Sequence, residues 1–590
     1  MPIEVTSASL LKLLTPLITI IGKECASFIK DSKLKWETTT IAEKLSKKVL
    51  DINTIKTMWS RDTGVLIDDF YFPSKVIEKY SKQEIDVLQS LSNSNITIEG
   101  IVGQGKSILM RHTCNRLLSN GVIPIFIEMR MLSAERGLQD LILDYLDTCG
   151  IGGGVSILSY LAANGKIALV LDGFDEVPTE LVKSAVFAIE QLRTKNNELR
   201  IIISSRPYHA AQNLQGFNVY ALAELVSCDY EIFLRKIIPE SVDRFSITDA
   251  ISQAPESIKG IITTPLMLTL LVLVYKNERE IPSTLPIFFD KLFNTVFTGH
   301  DRLKAGFRRE HFTGLSESKI QTLFDAFCMT IMQLGGDRTI SFDDFKKAFN
   351  LALKYAPESK CEMENFRKDI INTSCLMLED GFDETTFLHK SIMEYHAASF
   401  IKNAPDSTAH KFYHIAPSNM LNWGTVLLFL SSIDSYRYGK LYVLAEYPQE
   451  LTKITELLST RSDAALIKYL NGMFPNLQIV MSNFRVSSVN SGITRHHPFT
   501  LEIQQLLSEI IFLAIEKSDN RTIQRAVRQS PQTANPGTIT IGVRSIVENI
   551  DISSIWLGLS KVEQSMIEEV KKYRLLVDVE QSKCQIFDLF

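Results

Sequence analysis

The chain of 590 residues is 45% hydrophobic and 22% charged, with 28 glycines and 19 prolines. This ordinary globular composition excludes a collagenous, coiled-coil or wholly disordered chain, and at roughly 150 residues per domain the length allows about four domains. Its 63 basic and 68 acidic residues leave a net charge of −5, so no global positive field marks a binder of nucleic acid or of anionic membrane.

The eight cysteines, at positions 25, 114, 149, 228, 328, 361, 375 and 584, form no C-x-x-C pair, which argues against a disulfide framework or a zinc site. A reducing cytoplasm is the expected compartment. Glu4 and Lys12 interrupt the apolar amino-terminal stretch, so no secretory leader is expected. The most apolar run, residues 261–275, contains Pro265 and falls short of the about 20 residues that a membrane span needs.

In chain order, the first 60 residues read as helices. Leu10, Leu13, Leu14, Leu17, Ile18 and Ile21 form an apolar stripe on one helical face, which Pro16 is expected to bend. The stripe reads as packed core, with a membrane-seeking or partner-binding helix as the alternative. From about 96 to 221, short β-branched runs at 96–98, 122–127, 167–171, 200–204 and 218–220 alternate with helical stretches, the pattern of βαβ units around a parallel sheet. The glycine cluster at 150–154 follows a helix and not a strand, so it reads as a loop without phosphate-binding function. Beyond Leu225 the chain is again mainly helical. One interruption, residues 375–378, the turn Asp380-Gly381 and residues 385–388, reads as a β-hairpin. The last 190 or so residues carry helical runs such as 501–515 and no repeat with a period of 20 to 50 residues. His496 and His497 lack cysteine or acidic neighbours and read as an exposed loop.

The chemistry is concentrated at three strand ends. After the strand near Ile96, Gly100-Ile-Val-Gly103-Gln-Gly105-Lys106-Ser107 matches G-x-x-x-x-G-K-[ST] and opens a helix. The glycines let backbone N–H groups turn toward a β-phosphate, Lys106 reaches β/γ oxygens, and the Ser107 hydroxyl can ligate Mg²⁺. The apolar strand at 167–171 ends in Asp172, which delivers a carboxylate to the sheet rim where Mg²⁺ needs an oxygen ligand. Asp175 and Glu176 follow within one turn, and either can hold a water for attack on a γ-phosphate; the sequence does not choose between them. The strand at 200–204 leads to Arg206, a guanidinium placed to distinguish triphosphate from diphosphate.

Taken together, GIVGQGKS, IPIFIEMR, LVLDGFDEV, IIISSRP, TTPLMLTLL and FLHKSIMEYHAA resemble, in order and spacing, the motifs of NACHT-family signal-transducing (STAND) P-loop NTPases between about residues 70 and 400. The resemblance implies an α/β P-loop core of RecA/ASCE type with helical and winged-helix lids, and mainly helical segments at either side. It divides the chain into a helical segment 1–70, a nucleotide-binding domain 71–225, a helical domain 226–290, a winged-helix domain 291–400 and a repeat-free carboxy-terminal segment 401–590. It also implies ATP or ADP with Mg²⁺ as ligands, Pro265 against the base, and His389 as a latch on the β-phosphate of ADP. Thr263 and Thr264 stand where the family usually has a glycine pattern before that proline. Tyr71, Phe72 and Pro73 lie where such proteins form an adenine wall.

The function so implied is a cytoplasmic switch, closed with ADP and opened by ATP and a trigger into a homo-oligomer, with slow hydrolysis as reset. The short flanking segments resemble compact bacterial NACHT proteins that act against bacteriophage, with a phage-derived or phage-perturbed trigger. Two other classes remain open: a motor or remodelling ATPase with brisk turnover, and a winged-helix transcriptional regulator. For the latter, Lys346, Lys347, Lys354, Arg367 and Lys368 are balanced by Asp343, Asp344, Glu358, Glu362 and Glu364, so no basic recognition face emerges.

Overall fold

The computed structural model describes residues 6–28, 37–57, 60–78, 84–86, 95–207, 209–238, 240–298, 311–374, 376–379, 383–473, 476–482, 485–492, 538–540 and 553–584. They form two compact units that interleave along the chain, one of Met1–Glu317, Arg338–Lys346 and Cys361–His389, the other of Ser318–Asp337, Lys347–Lys360 and Lys390–Phe590.

The first unit is built on a seven-stranded sheet. Five strands are parallel: β5 (Asn95–Glu99), β6 (Ile123–Glu128), β7 (Ile167–Asp172), β8 (Arg200–Ser205) and β9 (Phe217–Leu222). The central strands β5, β7 and β8 are rich in β-branched and leucine residues and almost wholly buried, as a parallel sheet covered by helices requires, whereas β9 keeps Asn218 exposed. Their order is β9-β5-β8-β7-β6, and β3 (Lys75–Glu78) and β4 (Glu84–Asp86) extend the β9 edge antiparallel. β8 therefore lies between the strand before the phosphate loop and the strand that ends in Asp172, which is the RecA/ASCE arrangement of P-loop NTPases.

The apolar stripe of the helix Ser7–Phe28 is core. Leu10, Leu14, Ile18 and Ile21 are buried in the same cluster as Leu45 and Val49 of the helix Thr38–Asn53 and the sheet residues Ile123 and Leu169. At roughly 1.5–3 kcal/mol per fully buried large aliphatic side chain, this face contributes substantially to joining the amino-terminal helices to the sheet. The expectation of helix through residue 60 is corrected. β1 (Thr54–Thr57) and β2 (Ser60–Leu66) pair antiparallel, because Thr54, Ile55, Thr57 and Val65 are β-branched and fit a pleated surface better than a helix.

The expected hairpin is present as β11 (Met377–Glu379) and β12 (Glu384–Phe387), paired antiparallel, with β10 (Thr339–Ser341) as a third strand on β12. The turn Asp380-Gly381 and Cys375 lie outside the described residues. The glycine cluster joins two helices, and Gly150, Gly153 and Gly154 all take positive φ there.

In the second unit, the helices Lys390–Asn403, Met420–Ile433, Leu444–Thr460 and Ser553–Cys584 pack around aromatic side chains. A buried carboxylate, Asp325, accepts a hydrogen bond from Ser399 Oγ and meets His396 Nδ1, each at 2.6 Å, so this interior charge is satisfied. Within the mainly helical carboxy-terminal segment, β13 (Asn476–Ser482), β14 (Arg485–Gly492) and β15 (Thr538–Thr540) form an antiparallel sheet that the sequence reading did not include. Residues 501–515, His496 and His497 lie outside the described residues. Among the described residues, no helix is long and apolar enough to cross a membrane.

Candidate nucleotide site

Parallel pairing aligns the carboxyl ends of the strands. Glu99 stands opposite Ser205, and Glu128 opposite Asp172, so the loops after β5, β7 and β8 emerge on one edge of the sheet. In open α/β sheets this edge is where ligands bind. It borders a cavity of about 410 Å³ lined by the phosphate loop, Asp172, Asp175, Glu176 and Arg206.

The loop after β5 ends on Gly105, which takes φ +89 as the residue before the helix Lys106–Ser119. Gly103 takes φ +80, and a Cβ there would meet Leu266 Cβ at 3.0 Å. Gln104 staples the loop from inside: its Oε1 accepts from Ile101 N at 2.7 Å and its Nε2 donates to the Leu222 carbonyl of β9 at 3.3 Å. Lys106 Nζ donates to the carbonyls of Gly100 at 2.7 Å and Ile101 at 3.2 Å. Burial lowers its pKa to about 8, opposed by the nearby charges of Asp175, Asp172 and Glu176.

Asp172 accepts a 2.5 Å hydrogen bond from Ser204 Oγ, which itself accepts from Gly173 N at 2.8 Å. Burial raises the Asp172 pKa, and hydrogen bonds from Ser204 and Ser107 pull it back down. Ser107 and Asp172 are thus adjacent oxygen donors. That set fits Mg²⁺, which usually takes one or two carboxylates and otherwise water and substrate phosphate. Among the described residues, no group of three or more His, Cys, Asp and Glu gathers as a metal cluster.

The two acids after β7 have different surroundings. Asp175 is occupied: its Oδ1 accepts from Arg206 N at 3.0 Å, and its Oδ2 lies 3.0 Å from Arg206 Nε. Glu176 is pushed up to about 7, first by burial and then by the charges of Asp175 and Asp172. Arg206 also reaches away from the sheet, where its Nη2 donates to the Glu379 carbonyl of β11 at 3.4 Å.

Opposite the phosphate loop, Pro265 and Leu266 open the helix Pro265–Glu278. Thr264 caps it, its Oγ1 accepting from Met267 N at 3.3 Å, and Pro265 takes the first helical position, where its missing N–H costs nothing. Leu266 N donates to the Gly103 carbonyl at 3.3 Å, which ties this helix directly to the loop. Tyr71 and Phe72 line the cavity, whereas Pro73 does not. Tyr71 stacks on His112 at a centroid distance of 3.8 Å, and Phe72 meets Phe233 edge-on at 5.9 Å. His389 follows β12 and is not among the lining residues; Leu378 and Glu379 of β11 are. Burial and the charge of Arg338 lower the His389 pKa.

Sequence reasoning did not find Ile55, Lys56 and Thr57 of β1, Phe233, Thr269, Leu378 or Glu379 as cavity residues. Apart from Thr269, which lies within the TTPLMLTLL segment, none carries a local motif. Ser204 was accessible, since it stands one strand over from Asp172 within the IIISSRP segment.

No protein-family model matches the sequence, and no curated protein matches it. Among solved structures the chain is similar to Cdc6p of Pyrobaculum aerophilum, at 11% identity over 52% of this chain and 88% of that one, with a TM-score of 0.23. It is similar to RuvB of Thermotoga maritima at 12% identity over 53% and 88% of the two chains, TM-score 0.25. It is likewise similar to a signal transduction ATPase with numerous domains from Pyrococcus horikoshii, which carries a tetratricopeptide repeat sensor, at 12% identity over 66% and 62%, TM-score 0.25. The P-loop NTPase fold rests on the strand order and the loop geometry.

Proposed function

We propose that the chain is a nucleotide-controlled switch of the NACHT type. The observation that carries this reading is the cavity in which Lys106, Ser107, Asp172 and Arg206 meet Pro265 and the β11 residues Leu378 and Glu379. Phosphate-binding groups and lid segments far apart in sequence share one wall, so a nucleotide held there touches all of them.

In this reading Lys106 turns from the loop carbonyls to the phosphate oxygens, and the loop N–H groups and helix N-terminus complete the cradle. Ser107 and Asp172 hold Mg²⁺, which supplies positive charge against the phosphates. Glu176 orients the water for slow hydrolysis, Asp175 positions Arg206, and Pro265 and Tyr71 flank the base. Moving a switch from 1:99 to 99:1 takes about 5.5 kcal/mol of differential binding, so ATP, a trigger and protomer contacts share the work.

The test is to release and identify the nucleotide carried by purified protein, and to measure mass with ADP and with ATP. ADP retained by the wild type and absent from Lys106→Ala, with a mass increase on ATP plus trigger, is the expected result. Protein that holds no nucleotide sinks the reading, and rapid turnover without retained ADP supports a motor instead. The finer reading, an immune sensor protecting bacteria from phage, extends the motif resemblance. It is tested by phage challenge, where full protection by Lys106→Ala counts against it.

A further inference from the structure

Arg206 is a strand-end cation whose partners come from both the sheet and the lid. Its side chain is 15% exposed, and one face is fixed by the Asp175 carboxylate. The outer nitrogen, Nη2, points to the main-chain oxygen of Glu379, the last residue of β11. A carbonyl oxygen there carries the partial negative charge that a guanidinium seeks, so it occupies on Arg206 the kind of position a terminal phosphate oxygen takes. The same residue brings a full negative charge. Glu379 belongs to the cavity lining, and its side chain is 58% exposed with the carboxylate 3.5 Å from Arg367 Nη1 in an ion pair.

Resting on the nucleotide-switch reading, we propose that Glu379 is the residue that lets the β11-docked form accept a diphosphate and refuse a triphosphate. The γ-phosphate acts twice against β11. It competes with the Glu379 carbonyl for Arg206, and it places like charge beside the Glu379 carboxylate. A diphosphate does neither. Discrimination therefore combines attraction at Arg206 with repulsion at Glu379, and the repulsive element is what makes the β11-docked form refuse the triphosphate. β11 is pinned to β12 by the pairing of Met377 with Phe387, so displacing Glu379 pulls on the three-stranded sheet β10-β12-β11 as one body.

The test is equilibrium binding of fluorescent ADP and of a non-hydrolysable fluorescent ATP analogue to full-length protein. Glu379→Gln keeps the size and the carbonyl and removes the charge. It is expected to tighten the triphosphate roughly three- to tenfold, the effect of one like charge several ångströms away in a half-solvated site, and to leave ADP within about twofold. Glu379→Lys is expected to shift the ratio further in the same direction. Arg367→Ala separates charge from loosening, since it breaks the ion pair but keeps the carboxylate, and it is expected not to favour the triphosphate. Equal changes for both nucleotides, no change in their ratio, or a triphosphate gain from Arg367→Ala as large as from Glu379→Gln overturns the proposal. A wild type that binds neither nucleotide removes the switch reading itself, and this inference with it.

Discussion

Asp175 and Glu176 are neighbours in sequence, yet their surroundings differ. The turn after β8 brings Arg206 N and Nε onto the two oxygens of Asp175, which holds that carboxylate in place. Glu176 instead folds back over Gly173, whose φ is +76 and where an added Cβ would lie 2.9 Å from Glu176 Cδ. With Glu176 as the proposed water-orienting group, its pKa of about 7 gives the expected hydrolysis a pH dependence of definite sign. The carboxylate is the active form, so turnover should rise as pH increases from about 6 to 8. Glu176→Gln should flatten that profile and lower the rate by roughly 10²–10⁴-fold while retaining nucleotide, whereas a rate unchanged in Glu176→Gln assigns the water elsewhere. The stability linkage runs the opposite way. A carboxyl raised from 4.5 to about 7 stabilises the folded state fully below 4.5, and the contribution is lost as pH rises through 7. Lys106, Ser107, Asp172 and Arg206 were legible at this scale because each ends a readable strand or opens a readable helix. The difference in surroundings between the two acids was not, because it depends on where a loop one strand away turns back.

At the scale of elements, the phosphate loop is held between β9 and the helix Pro265–Glu278, through Gln104 on one side and the Gly103 carbonyl on the other. Two glycines separate strain from contact. Gly105 at φ +89 has open space where a Cβ would point, whereas Gly103 at φ +80 faces Leu266 Cβ at 3.0 Å. Gly105→Ala should therefore cost the left-handed strain alone, roughly 1–2 kcal/mol. Gly103→Ala should cost that and also push the helix off the loop. Thermal unfolding and ADP titration check this: the Gly103 variant should lose more of both, and equal losses would mean that the Leu266 contact is unimportant. That the chain beyond Leu225 is mainly helical was readable, and Thr264 as cap and Pro265 as first residue set where this helix starts. The β1–β2 hairpin was not, because four residues of strand directly after Asn53 are too few to break a helical reading. Asn53 ends its helix by donating from Nδ2 to Asn115 Oδ1 of the helix Lys106–Ser119 at 2.5 Å, a contact between residues far apart in sequence. β13 was missed for a related reason, since a seven-residue segment whose apolar residues are Leu477, Ile479, Val480 and Met481 fits a helix segment as well as a strand.

For the whole molecule, the mild net charge of −5 leaves a few charges at strand ends to determine specificity, and every residue lining the nucleotide cavity falls within the first unit. The amino-terminal helices share that unit's core, so they should unfold with the sheet and not before it. The second unit has its own interior, including Tyr438 packed at a ring-centroid distance of 5.4 Å against Tyr573 of the long carboxy-terminal helix. Calorimetry should then resolve two transitions, of which ADP raises only one. At a ligand concentration of about 100 times Kd the stabilisation is about 2.7 kcal/mol. With an unfolding entropy of about 2.1 cal/mol/K per residue, that moves the melting temperature of a unit of roughly 350 residues by only about 3–4 °C. Lys106→Ala should abolish the shift and leave the second transition where it was. If ADP raises both transitions together, the units unfold as one cooperative body, and nucleotide binding acts on the whole chain and not on its P-loop half.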